Sequence, residues 1–448
     1  MATTARRAVP SPQNIPVALA EPSKSFFIDM LTKDISLSVC ILDLIDNSIH
    51  GLIAQKNLDV SEHLIAGTRA QRMKGRIEVF FDGSSFSVTD DCGGIPIKEA
   101  EEHVFLFGNP VANKTRTGLG VYGIGMKRAF FKMGTTIDFK SHTRTEELRI
   151  EIDVDDWKAK REWNFPFTYA RPKTSRTGGT AIAISDLHAT VKDLFKSKAF
   201  KSTLVDKISR SYGLFLKAGL RIAVNGETAT ANIPELAETK GLRTVRHVMK
   251  KDGVEILILA GLSPRTDRTP RGWYVFCNGR MVLDANKDES TGWGLDSRPG
   301  FHYKYNHFLG YVYFRSHDLR NLPWATTKDR VDYESPIYQA AVKEMWVLGR
   351  PILDFLNNLY GDVREESEPE RNLFAAAKAV QLQRVASRKN TIFEATVKKE
   401  SDDAQVSIQY KRPKKKLKQV REATGRPTLS ASRIGEYTFD WFYDRNCK

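Results

Sequence analysis

The chain has 448 residues, enough for two or three domains that each bury a core, and its 41% hydrophobic and 27% charged residues are those of a soluble globular protein. No apolar run approaches the ~20 residues of a membrane span, and the N-terminus lacks the unbroken apolar segment of a signal peptide. The net charge of +15, from 69 basic and 54 acidic residues, favours polyanionic partners, although a solvated basic surface has the same composition. Cys40, Cys92, Cys277 and Cys447 are scattered without a CxxC pair, so neither a disulfide framework nor a zinc site is indicated. A reduced, cytoplasmic protein without a membrane partner is the expectation, with association with the nucleoid open to it.

In chain order, residues 1–22 are small, polar and Pro-containing and read as a flexible arm. Leu37, Ile41, Leu44, Ile45, Ile49 and Leu52 recur at helical spacing, which predicts an amphipathic helix between Phe26 and Ala54. Ile77, Val79 and Phe81, then Phe86 and Val88, alternate about the turn Asp82-Gly83-Ser84-Ser85 and predict a hairpin. A second alternating pair flanks Lys140 to Glu147, and Gly178 to Leu187 predicts one more strand. From about Thr190 a helical stretch is followed by short strands, with Asn278-Gly279 as a hairpin signal. A long helical stretch from Ser335 contains Pro351, which predicts a kink or a new helix there. The end differs: a mixed helical segment from Glu365 to Lys389, a basic run over 410–421, and an aromatic terminus with Tyr437, Phe439, Trp441, Phe442 and Tyr443.

Three segments bear chemistry. Asp43, Asp46 and Asn47 stand at i, i+3 and i+4 and share a helix face; three polar groups in an apolar helix are costly to bury unless something uses them, yet a solvated stripe explains the motif alone equally well. Val88 to Pro96 reads as a strand ending in the acidic turn Asp90-Asp91-Cys92-Gly93-Gly94. Gly118, Gly120, Gly123 and Gly125 thread a loop that runs into a helix from about Met126, whose free N–H groups and dipole favour phosphate. A glycine-rich loop alone is a weak signal.

In this order and spacing the set resembles the ATP-binding fold of the GHKL superfamily, which includes gyrase B, 90-kDa heat-shock chaperones, histidine kinases, MutL and MORC proteins. The resemblance covers residues 24–360, closely in the first half and loosely in the second. It implies an α+β protein: a Bergerat-type α/β sandwich at 23–190, a transducer-like α/β domain at 191–362, and a basic C-terminal tail module at 363–448. ATP and Mg²⁺ are the implied cofactors, with Asn47 supplying an oxygen to the metal. Asp43 falls where the gyrase, MutL and MORC branches usually carry a glutamate base. The missing methylene retracts the carboxylate by roughly 1.5 Å, and a misplacement of about 1 Å can cost on the order of 10²-fold in rate, so turnover is in question while binding is not. Asp90 would accept from the adenine amino group, with Cys92 in place of a family glycine and Gly94 and Ile95 beside it. Tyr122, Gly123, Ile124, Gly125, Met126 and Lys127 resemble the second glycine box in its MORC-like form, with Lys127 toward a phosphate or simply exposed. Residues between Glu99 and Leu119 would form the lid, and Thr180 would reach the adenine through water.

Residues Trp273–Leu283 and Leu322–Glu334 resemble the transducer domain, which places Lys328 as the lysine that reports an intact γ-phosphate. The expected protein is an ATPase whose protomers pair as homodimers on binding ATP. Double-stranded DNA is the expected macromolecular partner, through the basic surface and residues 411–421, with genome maintenance or defence as the setting and an additional protein subunit as a further partner. The rival readings are a chaperone-like ATPase acting on protein clients, a kinase on the same fold, and a non-hydrolysing nucleotide sensor; a strand-cutting topoisomerase would need another subunit.

Overall fold

The computed structural model describes residues 22–56, 73–108, 119, 123–265, 269–360, 368–397 and 408–447. It divides into two units, residues 1–397 and 398–448.

The first unit opens with helices α1 (Lys24–Thr32) and α2 (Leu37–Lys56). Strands β1 (Gly75–Phe81), β2 (Phe86–Asp90), β3 (Gly134–His142), β4 (Glu146–Asp153), β5 (Phe167–Pro172), β6 (Gly179–Leu187), β7 (Leu220–Val224) and β8 (Glu227–Thr228) form one sheet in the order β5-β4-β3-β6-β2-β1-β7-β8. The expected hairpin is β1–β2, in register at Val79↔Val88 and Phe81↔Phe86. Its turn is fixed by the Asp82 carboxylate, which accepts from the backbone N–H of Ser84 and Ser85 at 2.7 and 2.9 Å. Ile77, Val79 and Phe81 point inward while Phe80 faces out, so β1 has one covered face. Helix α2 packs against that sheet and against the helix Gly125–Met133 that ends the glycine loop. By length and composition α2 alone among the described helices could cross a membrane; 72% of its apolar window is buried, which makes it the core helix of this domain.

The first sheet extends past the boundary expected at 190. Strand β7 pairs in parallel with β1, in register at Ile77↔Ile222, because Leu220, Ile222 and Val224 complete the same buried face. The second sheet comprises β9 (Leu236–Glu238), β11 (Val245–Lys251), β12 (Val254–Leu262), β13 (Gly272–Cys277), β14 (Arg280–Asn286), β15 (Phe308–Arg315) and β16 (Lys378–Val380). β12, β13 and β15 are buried on both faces, and the helix Pro336–Leu359 packs on β12 and β15. That helix runs on through Pro351, which sits on its exposed side; no second helix begins there. Asn278-Gly279 makes the expected turn between β13 and β14, with φ of 44° and 84°. Both residues are left-handed, as a two-residue type I′ hairpin demands.

The tail expected from 363 is divided. Residues 378–380 join the second sheet through β16 on β9, and β17 (Glu394–Ala395) pairs with β10 (Leu242–Arg243). The second unit holds two helices among its described residues, Lys414–Ala423 and Ala431–Asn446. Most of the basic run forms the first of them. The second leaves Phe439, Trp441, Phe442 and Tyr443 exposed and buries only Ile434 of its own residues.

Candidate nucleotide site

Helix α2 supplies Asp43, Asp46, Asn47 and Ser48. Its helical period separates them: Asp43 and Asp46 are buried, whereas Asn47 is exposed to the cleft. Asp46 is an anchor. It accepts from Tyr212 Oη at 2.8 Å, Arg280 Nε at 3.2 Å and Lys328 Nζ at 2.9 Å. Arg280 follows the Asn-Gly turn directly. The Asn278 side chain pins that turn by donating to the Ser316 carbonyl at 2.9 Å and accepting from the Ser316 N–H at 3.1 Å. Lys328 sits at the tip of a tight loop with φ of 52°, where the Ala325 N–H bonds to the Arg330 carbonyl at 2.9 Å. A non-glycine residue held left-handed costs on the order of 1 kcal/mol, and the buried ion pair with Asp46 offsets it.

The end of β2 delivers Asp90. Its Oδ2 accepts from Ser48 Oγ at 2.7 Å, and its Oδ1 from the backbone N–H of Cys92 at 2.9 Å and of Thr180 at 3.3 Å. Burial pushes the Asp90 carboxyl up, while Ser48, Cys92 and Thr180 pull against that. The turn beyond it is drawn tight against β3 and β6. Gly94 has φ of 70°, and a Cβ there would lie 1.8 Å from the His142 carbonyl oxygen. Ile95 donates its N–H to Ser141 Oγ at 2.7 Å. Cys92 is buried and its thiol is pushed upward by burial, which makes it packing rather than chemistry. The resulting cleft is walled by Leu44, Val88, Ile95, Met126, Phe139 and Ile182, with Asn47, Asp90, Gly94 and Thr180 as its polar points.

That donor set fits an adenine nucleotide. Apolar walls take a flat ring, and one buried carboxylate with a lone pair to spare takes an exocyclic amino group. It also fits Mg²⁺ held mainly by phosphates. Among the described residues no cluster of three or more His, Cys, Asp or Glu could hold a metal unaided, and the Asn47 side chain opens into the cleft. Mg²⁺ commonly takes one or two protein oxygens and completes its shell with phosphate and water.

Of the expected glycine-box residues, Gly123 (φ 63°), Ile124 and Gly125 form the turn into the helix, and Met126 lines the cleft. Gly118, Gly120 and Tyr122 lie outside the described residues, as does most of the expected lid. Lys127 differs from its expected place at a phosphate. It is buried, its ammonium donates to the Val104 carbonyl at 2.8 Å, and it lies 5.9 Å from the Phe107 ring. Burial lowers its pKa to about 7. The helix turns Arg128, the next residue, toward α2, where its Nη2 meets Asp43 Oδ2 at 2.5 Å. Lys328, expected near a phosphate, is held on Asp46, and of the charges around Asp43 it pulls that carboxyl down most. Burial still dominates and pushes Asp43 up.

Sequence reasoning missed Ser48, Arg128, Tyr212 and Arg280. Ser48 and Arg128 adjoin motif residues and were legible as neighbours. Tyr212 and Arg280 carry no local signal: Tyr212 reaches α2 from the helices that precede β7 of the first sheet, and Arg280 from β14 of the second.

Residues 35–181 match the family model described as Histidine kinase-, DNA gyrase B-, and HSP90-like ATPase. No curated protein matches the chain. The matched segment contains Asp43, Asn47, Asp90, the glycine loop and Thr180, whereas Arg280 and Lys328 lie beyond it. The match and the cleft together support placing this segment in the GHKL superfamily of ATPases, with ATP as its ligand.

Proposed function

We propose that the protein is a Mg²⁺-dependent ATPase of the MutL- and MORC-like type, whose protomers pair on binding ATP and act on DNA. The observation that carries this reading is the meeting of two sheets at α2. Asn47 faces the cleft on one side of the helix while Lys328 and Arg280, from the second sheet and the loop beyond it, hold Asp46 on the other. A change at the nucleotide therefore has a short physical route to the second sheet.

In this reading Asp90 accepts from the adenine amino group, Thr180 assists through water, and Asn47 gives its side-chain oxygen to the metal. Mg²⁺, when bound, neutralises phosphate charge. Asp43 orients water as the base, and its raised pKa brings it nearer to working pH. Lys328 leaves Asp46 for the terminal phosphate, and Arg280 and Tyr212 keep Asp46 satisfied when it does. The basic run over 411–421 contacts phosphate backbones without reading sequence.

One observation favours a second reading, a slow or non-hydrolysing sensor: Asp43 is both short and already paired with Arg128. Steady-state ATP hydrolysis by the full chain, with and without double-stranded DNA, separates the readings. Turnover that rises with DNA and disappears in Asn47→Ala supports the clamp. Turnover indifferent to DNA shifts weight to a chaperone-like ATPase, and tight binding without turnover supports the sensor.

A further inference from the structure

Arg128 is a cation beside the cleft to which the ATPase mechanism has so far given no task. Its side chain is 10% exposed, and it pairs with the Asp43 carboxylate, itself 5% exposed. The guanidinium is under-used: its Nε is buried and has no hydrogen-bond partner among the described residues. An arginine fork has more donors than one carboxylate oxygen consumes, and a buried unpartnered N–H is costly. Position adds to this. Gly125 opens the glycine-loop helix, and a Cβ there would stand 3.0 Å from both Cγ and Oδ2 of Asp43. Asp43 thus lies against the first turn of that helix, and Arg128 projects from the same turn. The free N–H groups of a helix start favour phosphate oxygens. The neighbouring lysine of the same helix is committed elsewhere, Lys127 to the Val104 carbonyl.

We propose that Arg128 is a positioning residue that exchanges partners. Without nucleotide it holds the Asp43 carboxylate. With ATP it turns its fork to the terminal phosphate and leaves Asp43 free to orient water. This rests on the ATPase reading above. A fork pairing with phosphate offers two donors in place of one, which makes the exchange favourable. It also couples the freeing of Asp43 to the presence of the third phosphate, so ADP leaves the pair closed.

The test is equilibrium binding of ATP and of ADP, with Mg²⁺, to the full chain and to Asp43→Asn, Arg128→Gln and the double variant. Asp43→Asn removes the competitor for Arg128, so ATP should bind roughly tenfold tighter while ADP changes less than about threefold. Arg128→Gln should weaken ATP by about tenfold or more and ADP little. In the double variant the gain from Asp43→Asn should vanish. Thermal unfolding of each variant checks that it is folded, and the double variant avoids leaving either charge buried alone. A gain that survives without Arg128, or ATP and ADP affinities that fall together in Arg128→Gln, would overturn the exchange. Absence of nucleotide binding by the wild type would overturn the reading beneath it and the exchange with it.

Discussion

At the scale of single residues, the helices around the cleft hold charged groups buried at a cost. Lys127 is the clearest. Its folded pKa of about 7 lies below the ordinary lysine value of 10.5, so between those values the unfolded chain binds more protons than the folded one. Its contribution to stability therefore rises with pH through that window and falls as pH drops through 7. The slope from one such group is at most about 1.4 kcal/mol per pH unit. Chemical denaturation between about pH 7 and 9.5 should show the wild type gaining stability relative to Lys127→Met, which keeps the packing and lacks the charge. Parallel curves for the two proteins would show that the Lys127 ammonium is not buried as described. Lys127 also marks a limit of reading from sequence. The glycine-box pattern placed Lys127 toward a phosphate, whereas the helix buries Lys127 on the Val104 carbonyl and turns the next residue, Arg128, to Asp43. A local pattern cannot tell which of two consecutive side chains a helix turns toward α2 and which toward Val104 and Phe107.

At the scale of elements, α2 joins two sheets through one carboxylate. Breaking a buried ion pair by removing one partner typically costs about 3–5 kcal/mol, because the remaining charge is left uncompensated. Arg280→Ala should approach that figure, since Arg280 also lies 4.7 Å from the Tyr212 ring centroid. Lys328→Ala should cost less, roughly 1–2 kcal/mol, because Asp46 keeps Arg280 and Tyr212 and the left-handed backbone at 328 is as strained in alanine. Urea unfolding midpoints would show the order, and a larger loss for Lys328→Ala would contradict it. Much of this architecture was legible beforehand. The alternation of Ile77 to Val88 marked the first hairpin, and Asn278-Gly279 marked the turn of the later one, because both signals are local. The pairing of β7 with β1 was not legible, since a parallel neighbour so distant along the chain leaves no mark on either strand. Nor was the boundary in the tail: β16 is short and completes the second sheet only through β9.

At the scale of the molecule, a cleft whose lining fits an adenine nucleotide, a second sheet that touches the helix α2, and a separate basic and aromatic unit occur in one chain with a net charge of +15. If the helix Lys414–Ala423 binds phosphate backbones, truncation after residue 405 should weaken DNA binding and make its salt dependence shallower. The slope of log affinity against log salt should fall by about 0.9 for each phosphate that the truncated chain no longer neutralises. An unchanged slope would move the DNA-binding surface to the first unit. The central claim is the cleft itself. Its most direct test is a titration of the full chain with ATP in the presence and absence of Mg²⁺, alongside Asn47→Ala. The account predicts saturable ATP binding that Mg²⁺ strengthens, with that strengthening absent from Asn47→Ala. Equal affinity of wild type and variant at every Mg²⁺ concentration would contradict it.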